Sequence, residues 1–138
     1  MANVVERVDV WVAGMKDKPG ALAEKLAALS EARANLVFIV ARRDKPGAGV
    51  VFVTPISGRQ QLAAARKAGF KKTKSLHSVK LEGANKAGLG ARATAALAGA
   101  GINLHGVSGA AIGRKAVLYF AFDNAADATK AIRLLKGI

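Results

Sequence analysis

The sequence has no cysteine and only two histidines. The absence of cysteine excludes disulfide bonds, thiolate metal sites and cysteine nucleophiles, and two histidines leave little to hold a zinc ion. No apolar run is long enough to span a bilayer, and no basic start leads into the apolar stretch typical of a signal peptide. We therefore expect a cytoplasmic protein with no membrane contact, no metal and no cofactor.

Acidic residues are scarce: nine Asp and Glu stand against 22 Lys and Arg, giving a formal net charge of +13. Between residues 45 and 122 the only acidic side chain is Glu82. Such a field attracts nucleic acid or small anions, although it is equally typical of a solvated basic surface. The charge therefore leaves nucleic-acid binding open as an alternative function.

Aromatic residues are also few, with one Trp, one Tyr and five Phe. RNA-recognition modules stack bases on aromatic side chains of their central strands. Tyr119, Phe120 and Phe122 lack the basic and glycine context of that pattern. Nucleic-acid binding is thus the less favoured alternative.

Nothing in the sequence indicates a catalytic group. No paired carboxylates share a turn, no serine lies in a nucleophile elbow, and neither histidine has an evident acidic partner in sequence. We therefore expect no enzymatic activity.

Two stretches of the chain repeat each other. Asp17-Lys18-Pro19-Gly20-Ala21-Leu22 leads to Asn35-Leu36, and Asn85-Lys86-Ala87-Gly88-Leu89 leads to Asn103-Leu104. The two glycines and the two asparagines are each separated by 68 positions. Each copy is then one supersecondary unit packed against a relative, and each is close to the lower size limit for an independent core. We expect modules at residues 1–76 and 77–138.

The periodicity predicts the same order of elements in each half. Val8–Ala13 alternates like a strand, Leu22, Leu26 and Leu29 mark a helix, valine-rich runs at 36–41 and 49–54 flank a hairpin loop, and 57–68 suits a second helix. Residues 70–76 can supply a last strand. The second half repeats the order with elements at 79–81, 89–100, 102–108, 116–122 and 125–135. The predicted class is α+β, with two ferredoxin-like βαββαβ modules and a final strand credible only in the first.

The middle strands are apolar at every position, in Leu36–Val40 and Val50–Val53. This favours burial of both faces, whereas helices cover only one. If Val8, Val10 and Val12 face the helices, Trp11 lies on the other face, which another sheet would cover, most simply in a homodimer. The alternative is that these strands are central in one tightly curved module.

The element order, the turn from Asp17 to Leu22 and the residues that open the second strand resemble the ACT domain. The matching openings are Ala34-Asn35-Leu36 and Gly101-Ile102-Asn103-Leu104. The resemblance covers nearly the whole chain as two tandem copies without a catalytic domain. It implies a regulatory module that binds a small molecule, most often an amino acid, and acts on a partner enzyme or regulator.

The resemblance also implies an assembly and a site. Modules of this family pair side by side into one extended sheet, and ligand lies where the loop before the first helix of one module meets the second strand of its partner. The matching positions are Asp17, Lys18, Pro19, Gly20, Ala21, Leu22, Asn35 and Leu36 in the first copy, and Asn85, Lys86, Gly88, Leu89, Asn103 and Leu104 in the second.

The chemistry of such a site follows from its residue types. A glycine at a helix start lets the backbone approach a ligand, and free N–H groups with the helix dipole suit a carboxylate. An asparagine amide offers a donor and an acceptor to an amino acid. Alternatively, the glycines only shape turns and the asparagines only make loop hydrogen bonds. The second copy departs from the pattern, with Ala87 in place of proline and Gly90 in place of leucine.

Overall fold

The computed structural model describes residues 2–138, and these residues form two units. The inserted unit is Asp9–Thr73, and the split unit combines the described residues up to Val8 with Lys74–Ile138. This division differs from the expected boundary at residues 76 and 77. The reason is the first strand, β1 (Val4–Val8), which pairs with a strand of the C-terminal half.

The inserted unit contains a four-stranded antiparallel sheet and two helices. Its elements are β2 (Trp11–Lys16), α1 (Ala21–Glu31), β3 (Phe38–Lys45), β4 (Ala48–Thr54), α2 (Gly58–Lys67) and the two-residue β5 (Lys71–Lys72). The sheet order is β3-β4-β2-β5. The predicted βαββαβ order and ferredoxin-like class are confirmed.

The split unit repeats this architecture. Its elements are β1, β6 (His77–Ala84), α3 (Leu89–Gly99), β7 (Gly106–Ile112), β8 (Lys115–Phe122) and α4 (Ala125–Lys136), with the sheet order β1-β6-β8-β7. The fourth strand therefore comes from the beginning of the chain. The described strands form two separate four-stranded sheets, not the single extended sheet that the resemblance implied.

The core of the inserted unit lies between its sheet and its helices. Trp11 and Ala13 of β2 lie opposite Val53 and Val51 of β4, and all four are buried with Leu29 of α1. The expectation that Trp11 lies on the face away from the helices is wrong. The chain leaves β1 at Val8 and enters β2 at Trp11, so the alternation of Val8, Val10 and Val12 does not continue through one strand.

Within a single chain, β3 is not buried on both faces, and its cover by a second copy stays a prediction. Ile39 is 46% exposed, and Val37 just before the strand is 65% exposed. In β4, Val51 and Val53 are fully buried while the alternate Phe52 is only half-buried. The difference follows from position, because β3 is an edge strand and β4 is central in the sheet.

The core of the split unit contains side chains from both ends of the sequence. Val5 of β1 is 5% exposed and pairs opposite Leu81 of β6, which is fully buried with Phe120 and Leu135. The amide of Asn3 also donates hydrogen bonds to the carbonyl oxygens of Leu135 and Ile138, at 3.2 and 3.3 Å. The first residues of the chain thus complete the sheet and fasten α4. Within residues 2–138, no helix is both long and apolar enough to cross a membrane.

Candidate functional site

The loop before α1 is fastened to the neighbouring β3–β4 hairpin. The backbone N–H of Asp17 donates to the carbonyl of Gly47 at 3.1 Å, and Arg43 Nε donates to Asp17 Oδ2 at 2.6 Å. This pair is exposed, so its contribution to stability is small, about 0.2–1 kcal/mol. Its effect is to hold the loop in one position. Arg43 was not among the predicted residues, and nothing in its sequence context marks it as the partner of Asp17.

The loop before α3 is fastened in the same way. The N–H of Asn85 donates to the carbonyl of Arg114 at 2.9 Å, and Asn85 Nδ2 donates to the carbonyl of Gly113 at 3.0 Å. Asn85 stands 68 positions after Asp17, so the equivalent residue of each copy bonds its loop to the neighbouring hairpin. Both side chains have partners within the chain, which indicates that they position their loops.

Both helices begin at a glycine in the left-handed conformation. Gly20 and Gly88 each have φ of 87° and precede α1 and α3 as N-cap residues without a side-chain capping bond. A β-carbon at Gly20 would meet no heavy atom within 4 Å, so the space beside it is open. Left-handed backbone favours glycine, and a helix without a capping side chain leaves first-turn N–H groups for another acceptor. The N–H groups of Ala21 and Leu89 already donate to carbonyls of their own loops, at 3.3 and 3.2 Å. Gly20 therefore leaves the remaining first-turn N–H groups of α1 at an open surface, whereas a β-carbon at Gly88 would meet Arg92 Nη1 at 3.4 Å.

The two helix starts differ in charge. Glu24 lies in the first turn of α1, whereas Arg92 stands 68 positions later in α3, which has no acidic residue in its first turn. Arg92 Nη1 also donates to the carbonyl of Ala87 at 3.3 Å, next to Gly88. The positive end of α1 already has a carboxylate nearby, while that of α3 has a cation beside it. The loop of the second copy is therefore the more attractive of the two to an anion, and the 68-residue offset could have revealed this from the sequence.

The predicted leucines and alanine mainly fill the cores. Ala21 and Leu89 are 8% and 7% exposed, and Leu22, Leu36 and Leu104 are half-buried against the cores of their units. In contrast, the side chains of the other predicted residues are exposed: Lys18, Pro19, Lys86, Asn35 and Asn103. The exposed polar residues are the ones available to a ligand.

Asn35 and Asn103 lie at the opposite end of their sheets from the loops. Asn35 lies two residues before Val37, whose N–H donates to the carbonyl of Thr54 at the end of β4. Asn35 therefore lies near that end of the sheet. The N–H of His105 likewise donates to the carbonyl of Ala121 near the end of β8. The 11 residues of α1 span about 16 Å. Neither unit therefore brings its own loop and its own asparagine together.

Residues 12–68 match the sequence pattern of the ACT domain. This range lies within the inserted unit, whose sheet order is β3-β4-β2-β5. Residues 12–68 form an ACT domain. The split unit has the same spatial order of strands as the inserted unit, with β1 in the place of β5, although the match does not extend to it.

Solved structures resemble the chain over nearly its full length. Protein BT0572 from Bacteroides thetaiotaomicron superposes with a TM-score of 0.79 at 14% identity, covering 94% of this chain and 88% of that one. The regulatory subunit of aspartate kinase from Thermus thermophilus gives 0.67 at 17% identity, covering 99% and 96%. Aspartokinase III of E. coli, in complex with lysine and aspartate, gives 0.59 at 16%, covering 99% of this chain and 32% of that one. At these identities the likeness shows the fold.

A sequence comparison with the curated proteins finds no match. The ACT domain together with the regulatory-subunit fold supports a regulatory role through small-molecule binding.

Two other polar clusters lie outside the ACT loops. His105 Nδ1 is 3.0 Å from Asp123 Oδ1, and His77 Nδ1 is 3.1 Å from Arg7 Nη2. Neither histidine has the set of neighbours that a metal ion requires: within residues 2–138, no group of three His, Cys, Asp or Glu residues could hold one. These histidines are accounted for by surface contacts within the split unit.

Lys80 is the centre of a charged cluster in the split unit. Its Nζ lies 2.9 Å from both Glu6 of β1 and Glu82 of β6, and its side chain is 17% exposed. The hydrogen bond to Glu82, followed by the bond to Glu6, raises the pKa of Lys80 well above its usual value, against the opposing effect of burial. The same bond lowers the pKa of Glu82, and burial raises the pKa of nearby Tyr119. The cluster joins β1 to β6.

Proposed function

We propose that this chain is an amino-acid-binding regulatory protein and not an enzyme, that it works in the cytoplasm, and that it passes ligand occupancy to a partner through its oligomer interface. The observation that supports this most directly is the pair of fastened loops, each leading into a helix that starts at an uncapped, left-handed glycine. One of these loops belongs to the ACT domain of residues 12–68. A rigid, open backbone donor site is suited to a carboxylate.

The separation of loop and asparagine within one unit supports a homodimer. β3 is an edge strand, with Phe38 at the end of the sheet near Asn35 and Lys45 at the end near the Asp17 loop. Antiparallel pairing of β3 with β3 of a second copy, about a two-fold axis, brings the loop of one chain beside Asn35 of the other. Each site then needs two chains, so ligand binding and association become coupled.

The residues of such a site match the groups of a free amino acid. First-turn N–H groups after Gly20 and the nearby Lys18 are suited to the carboxylate, and the Asn35 amide can accept from the ammonium group. The equivalent loop at Gly88, with Lys86 and Arg92, offers a stronger positive field to a carboxylate. The amino acids in the aspartokinase III complex are consistent with this ligand class.

The test is calorimetric titration and thermal-shift measurement with the common amino acids, on the native chain and on Asn35→Ala. We expect one or more amino acids to stabilise the native protein. Loss of a hydrogen bond to a charged group weakens binding about 10-fold or more. Asn124→Ala provides a control for the loss of an exposed asparagine amide outside the predicted site residues, because this amide caps α4 by accepting from the Asp127 N–H.

Unchanged affinity in Asn35→Ala would remove the first loop from the proposal. Failure of every amino acid to stabilise the protein, together with RNA or DNA binding that weakens steeply with salt, would replace it with nucleic-acid binding.

A further inference from the structure

A groove of about 540 Å³ runs between α1 and α2 of the inserted unit. Its position is set by contacts at both ends: Lys25 Nζ donates to the carbonyl of Ala68 at one end, and Gln61 Nε2 donates to the carbonyl of Arg33 at the other. The two helices therefore run antiparallel. The distance from residue 24 to residue 31 along α1 is about 10 Å, at 1.5 Å per residue. This groove is separate from the ACT loop described above, except that Glu24 borders both.

The floor of the groove is apolar and small. It consists of alanines from both helices: Ala28, Ala32, Ala64 and Ala68. In the split unit, by contrast, α4 packs Ile132 and Leu134 against its core, and Lys130 Nζ donates to the carbonyl of Ala100 beyond α3. The position 68 residues after Ala64 is Ile132, so the groove-lining alanine of α2 is replaced by a larger side chain in α4.

The walls of the groove carry opposite charge at its two ends. Lys25 and Lys67 with Glu24 give one end a net charge of +1, and Glu31 beside Gln60 gives the other a net charge of −1. Glu24, Glu31, Gln60 and Lys67 take part in none of the side-chain hydrogen bonds or ion pairs within residues 2–138.

We propose that this groove binds a linear zwitterion whose ammonium and carboxylate groups lie about 10 Å apart, the chemistry of an extended tripeptide or a long ω-amino acid. The ammonium group is placed toward Glu31 and the carboxylate toward Lys67. The aliphatic or peptide middle lies on Ala28 and Ala64, with the Gln60 amide available to a peptide group.

The dimensions agree with this ligand class. An extended chain advances about 3.3–3.6 Å per residue, so a tripeptide spans about 10 Å between its termini. A groove of several hundred Å³ is within the usual range for small-molecule sites. A single free amino acid is too short to reach both charged ends. The ligand class is therefore different from that of the loop site.

The experiment measures binding of trialanine and of 8-aminooctanoate to the full chain by calorimetry. Trialanine amide and N-acetyl-trialanine each lack one terminal charge and serve as matched probes. The variants are Ala64→Leu, which fills the groove, and Ala63→Leu, its exposed neighbour on α2. Lys136→Gln is the control for Lys67→Gln. Lys67 lies in the last turn of α2 and Lys136 in the last turn of α4, so both variants remove a positive charge from the end of the second helix of a unit.

We expect trialanine or 8-aminooctanoate to bind, with loss of binding in Ala64→Leu and native binding in Ala63→Leu. Removing a terminal charge, or introducing Lys67→Gln, should weaken binding about 2–5-fold, the range of an exposed ion pair. Binding by trialanine alone would identify a peptide ligand, and binding by both would show that the separated charges suffice. No binding by either probe, equal binding of the blocked peptides, or native binding in a folded Ala64→Leu protein would overturn the proposal. The Asn35→Ala experiment tests the proposed function with free amino acids, whereas this experiment uses longer ligands. Failure of one proposal can therefore be told apart from failure of the other.

Discussion

Replacing Val5 with alanine should destabilise the C-terminal half of the chain, although Val5 lies at its beginning. Val5 is 5% exposed on β1, opposite Leu81 of β6, and belongs to the same core as Leu135 of α4. Its loss therefore acts on the split unit. A chain whose modules divided at residue 76 would show the damage in the N-terminal half instead.

The size of the effect follows from the methyl groups removed. Val5→Ala deletes two buried methyl groups, each contributing about 0.8 kcal/mol, and leaves a cavity between sheet and helix. We expect a loss of about 2 kcal/mol in unfolding free energy. For a unit of this size, that corresponds to a fall of about 8–16 °C in melting temperature. Val4→Ala is the matched control, because Val4 is 55% exposed and its loss should cost less than about 0.5 kcal/mol.

Two measurements locate the damage. Amide hydrogen exchange should accelerate in β6 and α4 more than in β2 and β4. The only tryptophan, Trp11, is buried in the inserted unit, so its fluorescence reports the unfolding of that unit. Equal effects of Val5→Ala and Val4→Ala, or faster exchange confined to β2 and β4, would refute the assignment of β1 to the split unit.

Gly20→Ala and Gly88→Ala should each destabilise the protein by about 1–2 kcal/mol in urea denaturation, because both glycines have φ of 87°. Gly90→Ala, in open space within α3, should instead stabilise by about 0.5–1 kcal/mol. If all three variants behaved alike, backbone conformation would not be the cause. The pKa of Glu82 is lowered in the folded protein, so its stabilising effect is present above pH 4.5 and is lost as the pH falls through the folded pKa. The stability difference between native protein and Glu82→Gln should therefore shrink on acidification; a constant difference between about pH 6 and pH 3 would contradict this.

The order of elements was predictable because its signals are local. The spacing of Leu22, Leu26 and Leu29 gave α1, and the turn at Pro19 and Gly20 gave its start. The constant offset of 68 residues predicted a second copy of the same unit. Asp17 and Asn85 were singled out correctly as equivalent positions, but their bonds to the hairpins depend on residues about 30 positions away. Whether any of the predicted residues contacts a ligand remains a prediction.

The sequence by itself determined the class of the fold and the glycines at both helix starts, since their signals lie within a few residues, and the constant 68-residue offset determined the duplication. Only the tertiary structure decided which sheet receives the first strand and which face of β2 carries Trp11. A strand pairs through backbone N–H and C=O groups that nearly every residue has, so these groups do not select its partner. The partner is selected by the hydrophobic core in which the apolar side chains of the strand become buried. Val5 is buried opposite Leu81, and Trp11 is buried opposite Val53. Both pairs join residues far apart in the sequence, so the residues next to Val5 or Trp11 do not identify the partner.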